Sequence, residues 1–274
     1  MELKIAVCIK SVPDPQFYDK ITIDRKSKRL TRQGIPSTIG KGDKAALEQA
    51  LLLKEKYGGT VTVFGMAPLE ARIELKEALA MGADQAVLLS DRAFGGADTL
   101  ATAYTLAQGI KKEDSFDLIL TGTESADGAT AQVPAQLAEC LNMPHLWNVK
   151  KFSLEENAKI RAIIGLDHAL GEYIICLPAL LAVARDSVNP RYITARGIKN
   201  SVNKVCKIVD QKKLQAESDC LGQTGSPTWP GDIKVPSIKR EGFMLNGSVE
   251  EIVENLASRL RAAGVKTIAG KTVG

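Results

Sequence analysis

Along the first 150 residues, short apolar runs alternate with stretches whose apolar positions recur at helical spacing. Residues 3–9 form an almost unbroken apolar run, the pattern of a strand buried on both faces. Residues 43–57 follow at helical period, with Ala46, Leu47, Ala50 and Leu51 on one face and Gly58-Gly59 as the stop. The same reading predicts strands over 60–64, 85–89 and 116–120, and helices over 68–81, 98–111 and 130–141. Such alternation means parallel crossovers, hence an α/β fold with helices on both faces of a parallel sheet. Ligands on these sheets bind beyond the carboxyl ends of the strands. Three Gly-containing segments, 65–68, 95–99 and 122–130, fall there.

Beyond residue 150 the texture changes. Residues 151–153, 159–164 and 173–177 read as antiparallel strands with polar turns, and 180–184 as one more buried strand. Residues 222–247 are rich in Gly, Pro and Ser without a strong period and read as an extended arm. Residues 248–263 form an amphipathic helical pattern, with Ser248 and Glu251 spaced as a capping box and Gly264 as the stop. The expected division is a nucleotide- or flavin-binding α/β domain over 1–220 and a C-terminal arm plus helix over 221–274.

Composition narrows the function classes. A chain of 274 residues buries a core without disulfide or metal staples. Its five cysteines, Cys8, Cys140, Cys176, Cys206 and Cys220, are odd in number and far apart. That argues against a disulfide framework or zinc ribbon and suits a reducing, cytoplasmic setting. His145 and His168 are too few for a His-rich metal site, so no metal is expected. No apolar run approaches the roughly 18–20 residues of a membrane span, and the chain opens in a strand pattern without a leader. The net charge of +4 hides an uneven distribution: between residues 185 and 213, eight basic side chains face only Asp186 and Asp210. That segment has one aromatic, Tyr192, and no nucleic-acid-binding motif. A solvated face or a docking surface for an acidic partner is the better reading, and no nucleic acid is expected.

Two strand-to-helix loops carry the candidate chemistry. In residues 91–102, the glycines let a ligand approach the backbone, and the helix start around Gly96, Ala97, Asp98, Thr99 and Thr102 favours phosphate. Asp98 or Thr99 also suits a plain helix cap. In residues 122–132, Ser125, Thr130 and Gln132 offer neutral hydrogen bonds, while Asp127 suits a ligand hydroxyl or a cap. A capped surface loop is the competing reading. Neither loop matches the Walker or dinucleotide glycine fingerprint, and no hydrolase or zinc-protease motif occurs. Cys8 lies in an apolar strand and Asp14 reads as a turn-former, so any chemistry falls to a bound cofactor.

Four blocks are more specific. Ala6-Val7-Cys8-Ile9-Lys10-Ser11-Val12-Pro13-Asp14 is similar to V-C-V-K-x-V-P-D, and Glu77-Ala78-Leu79-Ala80-Met81-Gly82-Ala83-Asp84 matches E-A-L-A-M-G-A-D. Asp127-Gly128-Ala129-Thr130-Ala131-Gln132-Val133 is similar to D-G-D-T-A-Q-V, and Asn189-Pro190-Arg191-Tyr192 to N-E-P-R-Y. With these in order, the chain resembles the beta subunit of electron transfer flavoproteins over nearly its whole length. The resemblance implies a Rossmann-like fold of the adenine-nucleotide-binding type and a heterodimer with an alpha subunit. It implies nucleotide contacts at Cys8, Gly65, Met66, Gly122, Thr123, Asp127, Gly128, Thr130, Gln132 and Val133, with Lys10, Asp43, Ser125 and Ala129 from the same segments.

In ordinary members of that family the nucleotide is AMP; in the electron-bifurcating branch it is FAD. Residues 91–102 resemble that branch's D-R-A-F-[AG]-G-A-D-T-L-A-T signature, and 222–228 its C-terminal arm, so FAD is the expected cofactor. The branch passes a hydride from NADH to this FAD, then one electron to ferredoxin and one, through the alpha-subunit FAD, to a flavin-dependent dehydrogenase. Arg191, Tyr192, Ile193, Arg196 and Lys199 correspond to the family's docking loop for that dehydrogenase. Two blocks depart: Gly40-Lys41-Gly42-Asp43 stands for N-P-x-D, and residues 122–129 for G-[RK]-Q-A-I-D-G-D. There Glu124 adds a negative charge that disfavours a nearby phosphate unless it points outward. A non-redox nucleotide-binding regulatory module of the same α/β type is the alternative from another class.

Overall fold

The computed structural model describes residues 2–24, 29–31, 34–229, 231 and 242–265. Strand β1 (Leu3–Cys8) is followed by short strands β2 (Ser11–Pro13), β3 (Thr22–Asp24), β4 (Arg29–Thr31) and β5 (Ser37–Ile39), which pair as β2–β5 and β3–β4. Then α1 (Lys41–Tyr57), β6 (Gly59–Met66), α2 (Arg72–Met81), β7 (Gln85–Leu89), α3 (Thr99–Glu113), β8 (Leu118–Gly122) and α4 (Val133–Leu141) alternate. After them come β9 (His145–Glu155), β10 (Lys159–Gly165), β11 (Leu170–Cys176), β12 (Ala179–Val183), α5 (Ala195–Ser201), β13 (Cys206–Val209), α6 (Gln211–Leu214) and α7 (Val249–Ala262).

Nine strands make one sheet in the order β11-β10-β9-β12-β8-β1-β6-β7-β13. Every pairing from β9 across to β13 is parallel, and β10 and β11 extend that edge antiparallel. This is the Rossmann-like α/β sheet with an antiparallel extension that the sequence predicts. Alternate residues of each central strand feed opposite cores. Ile5 and Val7 pack with α1 and α2 residues such as Leu47, Leu51, Leu75 and Leu79. Ala6 and Cys8 pack with Leu106 and Ile110 of α3 and Leu137 and Leu141 of α4. A strand covered on both sides has no solvent face to keep polar, which is why 3–9 reads as a continuous apolar run.

Several boundaries differ from the sequence reading. The helix expected from residue 130 begins at Val133: Ala129 and Ala131 hold φ of 46° and 55°, outside helical geometry, and Pro134 sits in the first turn, where its missing N–H costs no helical bond. The helix expected from Pro68 is a single turn at Leu69–Ala71 followed by α2. His145 opens β9, a strand far longer than the expected 151–153, because β9 also pairs in parallel with β12. The basic segment is not a simple loop, since it contains α5, β13 and α6, with β13 closing the sheet beside β7.

The chain forms two compact units, residues 1–232 and 233–274. The division expected at 220/221 falls earlier in the chain. Residues just beyond it belong to the first unit, as Gln223 N donates to Gly95 O at 3.1 Å and Thr228 N to the Asp98 carboxylate at 3.1 Å. In the second unit the capping box forms: Glu251 N donates to Ser248 Oγ at 3.3 Å, and Ser248 N to Glu251 Oε2 at 2.9 Å. Val249, Val253, Leu256 and Leu260 line one face of α7, and all four are exposed within this chain.

One ion cluster seats the basic segment on the core. Arg191 donates Nε and Nη2 to the Glu48 carboxylate at 2.9–3.1 Å and Nη1 to Glu55 Oε1 at 2.5 Å, while its backbone N reaches Glu48 Oε2 at 3.0 Å. The Glu48 side chain is 6% exposed and that of Arg191 30%. These carboxylates hold the guanidinium well above its ordinary value. Replacing Arg191 with Met leaves Glu48 as an uncompensated buried charge, so R191M should lose about 2–4 kcal/mol by urea unfolding. The double variant R191M/E48L should recover most of that loss; no recovery would show that the cost lies elsewhere.

Candidate functional site

The crossover from β1 runs to β6 on one side, whereas β8 takes its place on β1's other side. The sheet therefore changes direction between β1 and β8, the position where open α/β sheets leave a ligand crevice at their carboxyl ends. Cys8, Gly65, Met66 and Gly122 all lie at those ends. Cys8 is in register with Phe64, Gly65 with Leu88 and Met66 with Leu89. Burial, and then the nearby Asp43 carboxylate, push the Cys8 thiol up to about 12, so it remains protonated at neutral pH and is no nucleophile.

The crevice floor is built by Asp43, in the first turn of α1. One carboxylate oxygen accepts Lys10 N at 2.8 Å and the other Gly122 N at 3.1 Å. Gly122 is required by that approach, because a Cβ there would stand 2.6 Å from Asp43 Oδ1 and 3.0 Å from the Gly42 carbonyl carbon. Burial pushes the Asp43 carboxyl up to about 6, against the lowering influence of these two backbone hydrogen bonds and of Lys10.

Over this floor runs the loop from Thr123 to Gln132. Lys10 Nζ donates to Asp127 Oδ1 at 2.7 Å and to Ser125 Oγ at 3.2 Å. Gly128 N donates to Asp127 Oδ1 at 2.8 Å, and Ala129 N to Ser125 O at 2.9 Å. The Asp127 side chain is 5% exposed. Thr130 and Gln132 are exposed, Thr123 and Val133 are half-buried, and Glu124 is exposed. Ala129 and Ala131 sit in the left-handed region, which disfavours residues with a Cβ, so the loop is held in one shape at some local cost. Thr99 Oγ1 donates to Gln132 Oε1 at 3.0 Å and joins this loop to the start of α3.

The second candidate loop, 91–98, is a single turn capped by Asp91, which accepts Ala93 N at 3.0 Å. Asp98 caps α3, with Oδ1 accepting Leu100 N and Ala101 N at 3.0 Å each. Its Oδ2 accepts Thr228 Oγ1 at 2.6 Å and Thr228 N at 3.1 Å, and Asp98 N donates to Ser226 Oγ at 2.8 Å. Partial burial works against the ionised form, yet these donors hold its pKa below the ordinary value. Gly222 presses on the same loop, where a Cβ would collide with the Ala93 carbonyl oxygen. Gly96, Ala97 and Thr102 line this start of α3; Thr102 N is taken by Asp98 O at 3.0 Å.

The structure thus joins the two candidate loops to each other and to β1, but it gives their charged members internal partners. Asp43, Lys10 and Asp98, expected among the cofactor contacts, all bond to protein groups. Thr121 and Gln136 escape the sequence reading. Thr121 Oγ1, at the end of β8, and Gln136 Oε1, on α4, are buried without a hydrogen-bond partner. Thr121 stands one residue before Gly122 at the carboxyl end of β8, so its unpaired hydroxyl lies next to the crevice floor in sequence. Thr121 reads only as the end of an apolar run, and Gln136 only as one position of a helix, so neither carries a sequence signal. Of the expected docking residues, Arg191 is drawn inward, Ile193 packs on the core, and Tyr192 (95% exposed), Arg196 and Lys199 face outward. Among the described residues no His, Cys, Asp and Glu cluster could hold a metal ion.

A switch-point crevice roofed by small-residue loops, on a parallel sheet covered on both faces, defines a Rossmann-like α/β protein. Residues 28–212 match the model of the electron transfer flavoprotein domain. The chain is 40% identical over 264 residues to electron transfer flavoprotein subunit beta of Thermoanaerobacterium thermosaccharolyticum, covering 96% of this chain and 100% of that one. It is 39% identical over 263 residues to the caffeyl-CoA reductase-Etf complex subunit CarD of Acetobacterium woodii (94% and 98%). It is 35% identical over 268 residues to acryloyl-CoA reductase electron transfer subunit gamma of Anaerotignum propionicum (94% and 98%). The chain belongs to the electron transfer flavoprotein family, as a beta subunit.

Asp98 generates a test independent of cofactor. D98A removes the α3 cap and the bonds to Thr228, and should lower stability by about 2 kcal/mol. It should also raise amide exchange at Thr228. D98N, which keeps an oxygen for the cap, should lose less stability; no loss in D98A would dissociate the carboxylate from both roles.

Proposed function

We propose that this chain is the beta subunit of an electron-bifurcating electron transfer flavoprotein, holding FAD at the β1–β8 crevice and working in complex with an alpha subunit. One observation carries the reading. The two segments whose sequences resemble the bifurcating branch, 91–102 and 222–228, are 120 or more residues apart in the chain, yet they are bonded to each other through Asp98, Ser226 and Thr228. A shared purpose explains why both are kept. The name of one relative, a caffeyl-CoA reductase-Etf complex subunit, supports an assembly with an acyl-CoA reductase.

FAD bound here would supply the redox chemistry, taking a hydride from NADH and passing single electrons to ferredoxin and, by way of the alpha-subunit FAD, to a flavin-dependent dehydrogenase. The chain's own residues bind and orient. The loop bearing Ser125, Gly128, Ala129, Thr130 and Gln132 wraps the nucleotide, and Gly96, Ala97 and Thr99, around the Asp98 cap of α3, border it on the side that Gln132 joins to α3. Glu124, being exposed, leaves the phosphate region to these neutral donors. Tyr192, Arg196 and Lys199 meet the dehydrogenase, positioned by Arg191, and the apolar face of α7 packs on the alpha subunit. No described helix is long and apolar enough to cross a membrane.

Flavin stoichiometry decides the cofactor. The purified heterodimer should release two FAD on denaturation; one FAD together with AMP would instead identify a non-bifurcating carrier. Colourless protein that binds only AMP or ATP beside its partner would establish a regulatory module. T99W, which fills the start of α3, should lower the flavin count from two to one and abolish NADH-dependent flavin reduction, while leaving the alpha-subunit FAD in place. Retention of both flavins would remove α3 from the site.

A further inference from the structure

We propose that Asp43 is a positioning residue that sets the width of the nucleotide crevice, by spanning the carboxyl ends of β1 and β8, without itself touching the nucleotide. The inference rests on the crevice being the nucleotide site, and it assigns a role that differs from direct cofactor contact.

The ladder between these two strands runs Ile5–Leu118, Ala6–Ile119 and Val7–Leu120 and goes no further. Beyond it the chains part, and the amides of Lys10 and Gly122 would be left facing a gap. The Asp43 carboxylate fills that gap with one oxygen on each amide, at 2.8 and 3.1 Å. A side chain from the first turn of α1 thus takes over from the ladder and fixes how far the strands separate. Two further contacts fix the distance from the other side. A Cβ on Gly122 would stand 2.6 Å from Asp43 Oδ1, and one on Gly42 would stand 3.4 Å from Gly122 Cα. With one amide on each oxygen and the residue 9% exposed, little of the carboxylate is open to a ligand.

The placement also has a consequence for anions. The helix after the first strand is the usual phosphate seat of nucleotide-binding α/β folds, because its first amides are unpaired. Here that helix start holds a buried carboxylate, and the nearby Lys10 amide is already bonded. A diphosphate is therefore turned away from α1 and toward the loop 123–132.

Titration supplies the means of testing. The charged and titratable groups around Asp43 are Lys10 and Cys8 from β1 and its end, Asp127 from the loop, and Arg185, whose Cβ lies beside Gly42. Protonation near pH 6 would convert one acceptor oxygen into a hydroxyl and release one of the two amides. The sign for stability is opposite to that for spacing. Because the folded-state pKa is raised, Asp43's contribution to stability is full below about pH 4 and is lost as pH rises through 6. Ligand affinity governed by the spanning carboxylate should instead rise over that interval. A purely structural residue would move both the same way.

In the full-length chain, co-purified with its partner subunit where the two are expressed together, the Lys10 and Gly122 amide resonances should titrate as one, with a midpoint near pH 6. Independent or absent titration would refute the bridge without any mutation. FAD, whose diphosphate has no group ionising in this range, is the binding probe. Wild-type protein stripped of flavin should bind it more tightly at pH 7.5 than at pH 5. D43N should bind it about tenfold more weakly or worse at pH 7.5 and show no such pH dependence. G122A, which presses on the same carboxylate from β8, should reproduce the loss if D43N fails to fold. Wild-type affinity in D43N or G122A would overturn the proposal. Failure of wild-type protein to bind FAD at any pH would overturn the functional reading instead.

Discussion

Two parallel strands that part at a switch point leave backbone amides facing each other across a gap too wide for a ladder, and much of this molecule follows from how that gap is bridged. A carboxylate is well suited, since it accepts two N–H bonds and imposes a fixed distance between them. Burying it is costly, and the upward push on the Asp43 pKa registers that cost directly. The arrangement persists because α1 is locked at both ends. Its first turn is wedged against Gly122, and farther along it Glu48 and Glu55 grip Arg191. The loop 123–132 then starts from a point that cannot drift, and Lys10, whose own amide is held by Asp43, reaches into that loop through Asp127 and Ser125. One carboxylate thereby ties a strand, a helix and a loop into a single rigid corner.

The alternation of strands and helices was readable from apolar spacing because both faces of the sheet are covered, so β1, β7 and β12 show as nearly unbroken apolar runs. What escaped reading depends on pairing across long separations. Strand β13 has the sequence Cys-Lys-Ile-Val inside a basic stretch and becomes a strand only because β7 offers an open edge. Val133 starts a helix that spacing placed three residues earlier, because the left-handed conformations at Ala129 and Ala131 are imposed by the loop's anchors and not by local propensity. The site divides the same way. Its loops were visible as small-residue segments, while the unpaired hydroxyl of Thr121 beside Gly122 was not, since an orphaned polar atom is defined by what fails to surround it.

Charge illustrates how far composition misleads without geometry. The eight basic residues between 185 and 213 suggest one electropositive face, yet they are spent in different ways. Arg191 is consumed by α1, and Lys204 Nζ caps α2 through the carbonyls of Leu79 and Ala83. Lys207 pairs with Glu113 on α3 at 2.5 Å. These residues bind the segment to the body of the protein and so hold Tyr192, Arg196 and Lys199 in place on its outside. Were this segment to meet a partner, as proposed, its anchoring by part-buried ion pairs would leave less conformational entropy to lose than a free loop carries.

The same logic applies to residues 222–228. This short Gly-, Ser- and Thr-containing segment has little apolar surface with which to hold itself on a fold, so its course is fixed by a few polar contacts. Asp98 supplies them: one oxygen closes the start of α3 and the other receives Thr228, while its amide binds Ser226. The cap that orients the helix start is therefore also the clasp that holds the arm. Any movement of Thr228 away from Asp98 would remove donors that help keep that carboxylate ionised. Order in the arm and the electrostatics of the helix start are thus coupled through a single side chain.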